Sequence, residues 1–239
     1  IRSQILHHAK ALKATAVIDD ALLNEVTGLV EWPECLTGRF DEGFLELPAQ
    51  ALISSMKEHQ KYFHFVDDEG DILPLFLTVS NINSKNPAHV IAGNERVIRP
   101  RLADAAFFFK TDKKVTLESR NSALGKVVFQ AELGTVLDKT LRVAQLAASI
   151  ASEIGADSAL ASRAGTLSKA DLNTNMVLEF SDLQGLMGHV YALNDGEDVT
   201  VAATLEQHYW PKFSGDRLPE SGVANAVAIA DRLDTLVGL

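Results

Sequence analysis

A stripe of apolar residues in the second half of the chain constrains the fold more than any other feature. Its members recur at three- and four-residue spacing and end directly before Gly155: Leu133, Val136, Leu137, Val143, Leu146, Ala147, Ile150, Ala151 and Ile154. Side chains with this spacing share one face of an α-helix, and glycine is common just after a helix's last turn. The stripe predicts an amphipathic helix that ends near Gly155.

The part of the chain before Pro87 mixes helix and strand patterns. Apolar spacing, aromatic and β-branched runs and turn residues each predict a different element. The predicted elements are two helices within residues 1–30, the second capped by Asp19-Asp20, a strand over Cys35–Phe40, a helix from Leu47-Pro48, and a hairpin of Tyr62–Val66 with Ile72–Val79.

After Pro87 the strand signals fade and the pattern is almost entirely helical. Besides the helix before Gly155, helices are predicted over 157–172, 180–193, 198–209 and 220–237. The predicted fold class is α+β, with a mixed helix and strand part over residues 1–95 and a mostly α-helical domain over 96–239. The boundary is placed to within about 15 residues.

Composition limits the classes of function. A formal net charge of −10 opposes general binding of nucleic acid, and DNA is not expected as a partner, although a local basic patch stays possible. No apolar run approaches the roughly 18 residues that span a bilayer, so no membrane partner is expected either. The single cysteine, Cys35, suits a buried thiol in a reducing cytoplasm. Ile1 in place of methionine and an apolar pattern running to Leu239 indicate an internal piece of a longer protein.

The run from Gly93 to Phe109, GNERVIRPRLADAAFFF, concentrates unusual residues. Pro100 predicts locally extended chain followed by a helix that begins at Arg101 or Leu102. Guanidinium groups beside a helix N-terminus suit phosphate oxygens, which makes Arg96, Arg99 and Arg101 candidate phosphate contacts. The alternative is that they pair with carboxylates and join the two parts of the chain. The three phenylalanines at 107–109 are predicted to lie in the core.

This run closely resembles the signature of the β subunit of bacterial heterotetrameric glycyl-tRNA synthetase. Three further blocks resemble the same family: 57–63, 168–188 and 207–216. With Trp32-Pro33 and Asp231–Asp234, the resemblance extends over essentially the whole chain. It implies a central fragment of an aminoacyl-tRNA synthetase subunit, working in protein biosynthesis.

The resemblance implies that the holoenzyme is a ligase that forms glycyl-tRNA with ATP. Its α subunit would bind ATP and Mg²⁺ and activate glycine, so this segment is expected to bind no cofactor and to hold no catalytic residue. The implied partners are the α subunit, in a heterotetramer, and tRNA(Gly). The expected tRNA contacts are Arg96, Arg99, Arg101, Lys57 and Lys61. For the two lysines, the alternative is favourable placement of positive charge at a helix C-terminus.

Three blocks of the helical half also resemble the HD superfamily of metal-dependent phosphohydrolases. In the first block Lys139 stands at the position of a ligand histidine. In the second, Ser168 and Lys169 replace the His-Asp pair, and in the last Asp231 keeps the carboxylate. A charged ammonium donates hydrogen bonds only and cannot ligate a metal.

The pattern therefore predicts a degenerate HD-like domain without a metal. The synthetase family is thought to carry such a domain in its β subunit. The alternative is an active HD-type metal-dependent nucleotide phosphohydrolase.

Several other residues that could suggest metal binding or catalysis are predicted to have structural roles. The histidines reproduce no zinc spacing. Asp171, Glu179 and Asp182 are expected to be solvated or ion-paired carboxylates. Gly185 and Gly188 predict a small-residue helix face that a neighbouring helix can approach.

Overall fold

The structure, a computed structural model, describes residues 1–238, and its internal contacts define two units. The first unit covers Ile1–Phe109 and the second begins at Lys110. The division falls in the last turn of a long helix, whereas the sequence pattern placed it at 95/96, and that boundary stays a prediction. The α+β class is confirmed, because a small antiparallel sheet is combined with a majority of helix.

The first unit contains four strands and four α-helices. In chain order they are α1 (Arg2–Leu12), β1 (Thr15–Val17), α2 (Asp20–Leu29), β2 (Glu34–Arg39), α3 (Ala49–Ser54), β3 (Phe63–Val66), β4 (Ile72–Ser80) and α4 (Pro87–Asp112). A 3₁₀ turn at Glu42–Glu46 follows β2, and a π-helical turn at Ser55–His59 continues α3.

The four strands form one sheet in the order β1-β3-β4-β2, with every neighbouring pair antiparallel. The predicted hairpin is confirmed as β3 and β4, and the predicted N-cap of α2 is confirmed because the Asp19 side chain accepts from the Leu22 N–H. The strand β1 was not predicted, since it is only three residues long. Apolar residues of α1, α2 and the strands form the core, which includes the buried thiol of Cys35.

The helix α4 corrects the prediction for the arginine-rich run. It is a single helix of 26 residues with Pro100 in its interior, so no new helix begins at Arg101 or Leu102. Ile98, Leu102 and Ala105 are fully buried, and this apolar spacing of three and four residues continues the helix through the proline. Phe107 is 64% exposed, so its predicted core position is also wrong.

The second unit, after the end of α4, is built mainly from helices. They are α5 (Leu117–Leu124), α6 (Val136–Glu153), α7 (Ser158–Leu167), α8 (Asn175–Glu179), α9 (Leu186–Asn194), α10 (Val199–Gln207) and α11 (Gly222–Gly238). Two short antiparallel strands, β5 (Val128–Gln130) and β6 (Gly134–Thr135), precede α6, although no strand was predicted there. Within residues 1–238, every helix is too short or too polar to cross a membrane.

The amphipathic helix predicted from the apolar stripe is α6. Thr135 and Asp138 form a reciprocal capping box at its start, and Gly155 follows its end with a φ of 72°. α6 packs against α7 and α11. A Cβ added at Gly165 of α7 would lie 2.6 Å from Ala144 Cα, so glycine is what allows α6 and α7 to approach.

Candidate functional site

The three helices α6, α7 and α11 bring together two buried lysines and one aspartate. Lys139 lies in the first turns of α6, Lys169 follows α7 directly, and Asp231 lies within α11. Lys139 Nζ is 3.1 Å from Asp231 Oδ1, and Lys169 Nζ is 3.1 Å from Asp231 Oδ2. Positions 92 and 62 residues from Asp231 thus converge on its carboxylate. These three residues, with His208, are called the lysine cluster below.

Lys139 directs its hydrogen bonds to neighbours of that carboxylate. Its ammonium donates to the Asp231 backbone carbonyl at 3.0 Å, to Thr235 Oγ1 at 2.8 Å and to Asp234 Oδ2 at 3.2 Å. Asp234 also accepts from Arg142 Nε at 2.6 Å. Asp231 Oδ1 therefore faces the Lys139 charge at 3.1 Å but has no hydrogen bond with good geometry among the described residues.

Lys169 is enclosed on all sides by groups that stabilise an ammonium. It donates to Asp231 Oδ2, lies 3.0 Å from His208 Nε2, and sits 4.2 Å from the centre of the Tyr209 ring. His208 Nδ1 lies 3.2 Å from the Thr204 carbonyl, which can only accept. The proton of a neutral His208 is thereby assigned to Nδ1, which leaves Nε2 free to accept from Lys169.

Burial and charge determine the protonation states in the lysine cluster. Burial and then the Lys169 charge lower the pKa of His208 to about 3, so the imidazole is neutral near pH 7. Burial lowers the pKa of Lys169, and the charge of Asp231 opposes this. Burial alone would raise the pKa of Asp231, but the nearby positive charges, Lys169 foremost, outweigh burial and lower it to about 2. The Asp231 carboxylate thus lies between the two lysine side chains, with a neutral imidazole beside Lys169.

The donor set of the lysine cluster does not suit a metal ion. Both faces of the Asp231 carboxylate are in contact with ammonium groups, which repel a cation and offer it no lone pair. Ser168, at another predicted ligand position, turns away and donates to the Gly165 carbonyl at 2.8 Å. Among residues 1–238, no group of three or more His, Cys, Asp and Glu side chains is arranged to hold a metal. The HD-like label itself stays a prediction.

Two members of this neighbourhood have roles that the sequence did not signal. His208 has no metal-ligand spacing, and its partnership with Lys169 spans 39 residues. Asp171 was expected to be solvated or ion-paired, and that prediction is wrong. Its fully buried carboxylate accepts from the N–H groups of Gly185 at 2.6 Å and Gly188 at 3.3 Å, at the start of α9. Burial raises the pKa of Asp171 to about 6, against these two hydrogen bonds.

The two glycines have different roles from one another. Gly188 lies in α9, where an added Cβ would be 3.3 Å from Leu205 Cβ of α10, so the predicted close approach of helices occurs there. Gly185 precedes α9 with a φ of 84°, a conformation that side chains rarely adopt. Glu179 and Asp182 are exposed, so they are not part of the Asp171 site.

In the first unit, the three arginines of α4 have different environments. Arg96 and Arg99 are exposed, and neither guanidinium has an ion pair or hydrogen bond to any of residues 1–238. Arg101 is half-buried and has an interaction partner. The alternative that all three arginines pair with carboxylates is therefore wrong for Arg96 and Arg99.

The two predicted lysine contacts are engaged in ion pairs of the first unit. Lys57 Nζ is 2.7 Å from Asp19 Oδ2, and Lys61 Nζ is 3.0 Å from Glu25 Oε1. The hydrogen bond to Asp19 is the main cause that raises the pKa of Lys57. Their positive charge is thus used within the unit, in contrast to that of Arg96 and Arg99.

Comparison with known proteins gives one consistent result. The beta subunit of glycine–tRNA ligase from Chromohalobacter salexigens is 58% identical over 239 residues, which is all of this chain and 35% of the relative. The same subunit from Marinobacter nauticus is 61% identical over 224 residues, 94% of this chain and 32% of the relative. For Hahella chejuensis the identity is 57% over 239 residues, all of this chain and 34% of the relative.

The chain spans about a third of the length of the curated relatives it matches. The family model described as glycyl-tRNA synthetase beta subunit matches residues 1–239, which is every residue of the chain. By this match, the chain belongs to the glycyl-tRNA synthetase beta subunit family.

Proposed function

We propose that this chain is a non-catalytic segment of the β subunit of a glycine–tRNA ligase. In this proposal it positions tRNA and assembles with the α subunit while the holoenzyme forms glycyl-tRNA with ATP. The proposal is supported by membership of the family and by relatives named glycine–tRNA ligase beta subunit. The observation that carries the non-catalytic part is the closure of Lys139 and Lys169 on Asp231.

The lysine cluster supplies structure without supplying a reactive group. Its ammonium groups are 5–7% exposed by residue and are held by internal acceptors, so no lone pair or proton is presented to a ligand. The positive charge that a bound metal would bring to such a site is already provided by two side chains. Opposite charges held together in this way link α6, α11 and the chain after α7.

Positioning by itself can raise the rate of aminoacyl transfer. Holding a reacting group in the correct orientation is worth several kcal/mol, up to about 7–11 in favourable cases, without any catalytic side chain. In this proposal ATP and Mg²⁺ are bound by the α subunit, the holoenzyme is a heterotetramer in the cytoplasm, and tRNA(Gly) contacts this segment through exposed cations. Of the predicted contact residues, Arg96 and Arg99 are exposed and have no ion pair within residues 1–238.

The test separates glycine activation from transfer to tRNA. Purified α subunit and full-length β are combined, and pyrophosphate exchange with ATP is measured beside charging of tRNA(Gly). With Asp231→Asn in β, we expect lower stability of β but an unchanged kcat for charging at temperatures where the variant is folded. Folding is verified by hydrogen exchange. If the folded variant has a much lower kcat for charging while its KM for tRNA is unchanged, the non-catalytic assignment is contradicted.

The alternative of a metal-dependent phosphohydrolase has its own decisive measurement. Elemental analysis of full-length β is compared with the triple variant Lys139→His, Ser168→His and Lys169→Asp, which restores the ligand pattern. We expect the wild-type protein to hold far less than one metal ion per chain in this part. One ion per wild-type chain that is lost in Asp231→Asn, with hydrolysis of nucleotides, supports the phosphohydrolase instead.

A further inference from the structure

We propose that a cleft lined by Arg39 and Arg99 in the first unit binds one phosphate and ribose unit of an RNA backbone. The inference rests on the proposed function, because it specifies how the segment would hold tRNA. The cleft has a volume of about 360 Å³ and is lined by Arg39, Phe40, Asp41, Glu95 and Arg99. Ligand pockets span about 300–1,000 Å³, so this one suits a small unit of a larger molecule.

The two arginines that line the cleft belong to different elements, and a hydrogen bond joins these elements. Arg39 is the last residue of β2, and its N–H donates to Glu95 Oε1 of α4 at 2.9 Å. Arg99 follows Glu95 by one helical turn. The end of β2 and this turn of α4 are therefore held together without the use of either guanidinium.

Both guanidinium groups are free to bind a ligand. Arg39 and Arg99 are exposed, and within residues 1–238 neither side chain forms an ion pair or hydrogen bond. A guanidinium presents several N–H donors in a planar fork that fits the oxygens of a phosphate. Two such forks, one from β2 and one from α4, that line the same cleft make a stronger phosphate site than a single arginine on a helix surface.

The carboxylates of the cleft favour a ligand that carries a hydrogen-bond donor beside its negative charge. Asp41 Oδ1 accepts from the Gly43 N–H at 2.8 Å, and Glu95 Oε1 accepts from the Arg39 N–H. The second oxygen of each carboxylate accepts no hydrogen bond from the described residues. These oxygens are able to accept from a ligand, and the ribose 2′-hydroxyl beside each RNA phosphate is a suitable donor.

This combination favours RNA over an acidic protein segment. A carboxylate side chain of a partner protein offers acceptors to the arginines but no donor to Asp41 and Glu95. A phosphate and ribose unit offers an acceptor and a donor together. The same reasoning predicts that the cleft prefers RNA to DNA, which lacks the 2′-hydroxyl.

The chain offers a matched control in Arg96. It lies on α4 one turn before Arg99, is also exposed and unpaired within residues 1–238, and is not among the residues that line the cleft. Loss of Arg96 and loss of Arg99 change the net charge equally. A difference between the two variants therefore reports the cleft rather than general attraction of tRNA.

The experiment measures binding and charging of tRNA(Gly) by the α subunit with full-length β, as a function of salt. Arg39→Ala and Arg99→Ala are each expected to weaken tRNA binding by about tenfold or more, which corresponds to the loss of a charged hydrogen-bond donor. The slope of log affinity against log salt should fall by about one. Arg96→Ala should change affinity less than about threefold.

Two further variants report whether both arginines share one phosphate. The double variant Arg39→Ala and Arg99→Ala should lose clearly less than the product of the two single losses, because one ligand group is shared. Arg99→Lys should keep the salt slope but lose affinity, since it keeps the charge without the fork.

A scan of single 2′-deoxy substitutions in tRNA(Gly) tests the carboxylates. At least one substitution should weaken binding to wild-type β and have little further effect on the double arginine variant.

The possible failures are distinguishable. Absence of charging with wild-type β contradicts the proposed function itself. Normal charging by wild-type β with unchanged tRNA affinity in both arginine variants overturns only the cleft inference. Arginine variants that weaken association with the α subunit and leave tRNA affinity unchanged show that the cleft is a protein interface, which also overturns it.

Discussion

Two sets of cations, one in each unit, are used in opposite ways. In the second unit, Lys139 and Lys169 are buried and every donor of Lys169 faces an acceptor or an aromatic ring. In the first unit, Arg96 and Arg99 are exposed and unpaired within residues 1–238. Both sets were conspicuous in the sequence, but only the two arginines retain N–H donors that an outside ligand can reach.

The difference follows from the cost of burying charge. An ammonium removed from water requires compensation from nearby acceptors, and once these are in place the charge serves the fold alone. An exposed guanidinium keeps its solvation and exchanges water for a phosphate at little cost. Predicted binding residues are therefore better ranked by whether their charge is already neutralised than by the motif in which they occur.

The largest effect is expected from removing the shared carboxylate of the lysine cluster. Asp231→Ala leaves Lys169 buried beside His208 and Tyr209 without its ion-pair partner, and removes one of the two carboxylates near Lys139. Breaking a buried ion pair by deleting one partner costs about 3–5 kcal/mol. Hydrogen exchange of α6, α10 and α11 in full-length β should show a loss of protection of that size.

Glu153→Gln is the control for that experiment, because Glu153 is an exposed carboxylate at the end of α6. Glu153→Gln should change the free energy of unfolding by no more than about 0.5 kcal/mol. If Asp231→Ala and Glu153→Gln have equal effects, the cluster does not stabilise the second unit and the contrast between the units fails.

The next effect concerns the helix that carries the exposed arginines. Pro100 is exposed inside α4 and cannot donate to the Arg96 carbonyl, so Pro100→Ala restores one helical hydrogen bond. Because interior proline costs about 3 kcal/mol relative to alanine, the variant should increase protection of α4 amides by up to that amount. Ala103→Gly, at another exposed position of α4, should decrease protection by about 1 kcal/mol. A loss of protection in Pro100→Ala would mean that the proline ring itself stabilises α4.

The sequence predicted most of the elements, because local patterns determine them. The stripe of α6, the N-cap of α2 and the β3–β4 hairpin are each encoded within a few neighbouring residues. Proline rules failed at Pro100, because the buried residues Ile98, Leu102 and Ala105 carry the helix across it. Tertiary packing outweighed the local preference there.

The candidate sites were only partly predictable for the same reason. The HD-like spacing identified Lys139, Lys169 and Asp231, and these residues do meet. His208 and Arg39 could not be found, since their roles depend on contacts across 39 and 56 residues of sequence. No pattern distinguished the paired Lys57 and Lys61 from the unpaired Arg96 and Arg99.

A smaller effect is expected from the pH dependence of His208. Its pKa is about 3 in the folded chain against 6.5 as a reference, so the unfolded state binds more protons between these values. The stability contribution of neutral His208 is complete above pH 6.5 and declines as pH falls, by about 1.4 kcal/mol per pH unit. The pKa of Asp171 is raised to about 6, so the folded state binds more protons than the unfolded state between pH 3.8 and 6. The contribution of Asp171 to stability therefore increases as pH falls through that range, opposite to that of His208.

The difference between wild-type β and His208→Gln isolates the histidine, because glutamine can still accept from Lys169 and does not titrate. Protection of α10 amides, corrected for the intrinsic pH dependence of exchange, should fall more steeply in the wild-type protein between pH 6.5 and 5. Parallel curves for the two proteins would mean that His208 is not held neutral by the cluster.

The smallest effect is expected at Lys61, which makes it the sharpest test of the contrast between paired and unpaired cations. The Lys61–Glu25 pair is partly exposed, and such pairs contribute about 0.2–1 kcal/mol, so Lys61→Ala should lower the stability of the first unit by no more than that. Since its charge is already neutralised by Glu25, tRNA affinity should change less than about twofold, against about tenfold for Arg99→Ala. A loss in Lys61→Ala as large as that in Arg99→Ala would show that an exposed ion pair opens to bind RNA, and internal pairing would then no longer separate structural from ligand-binding cations in this chain.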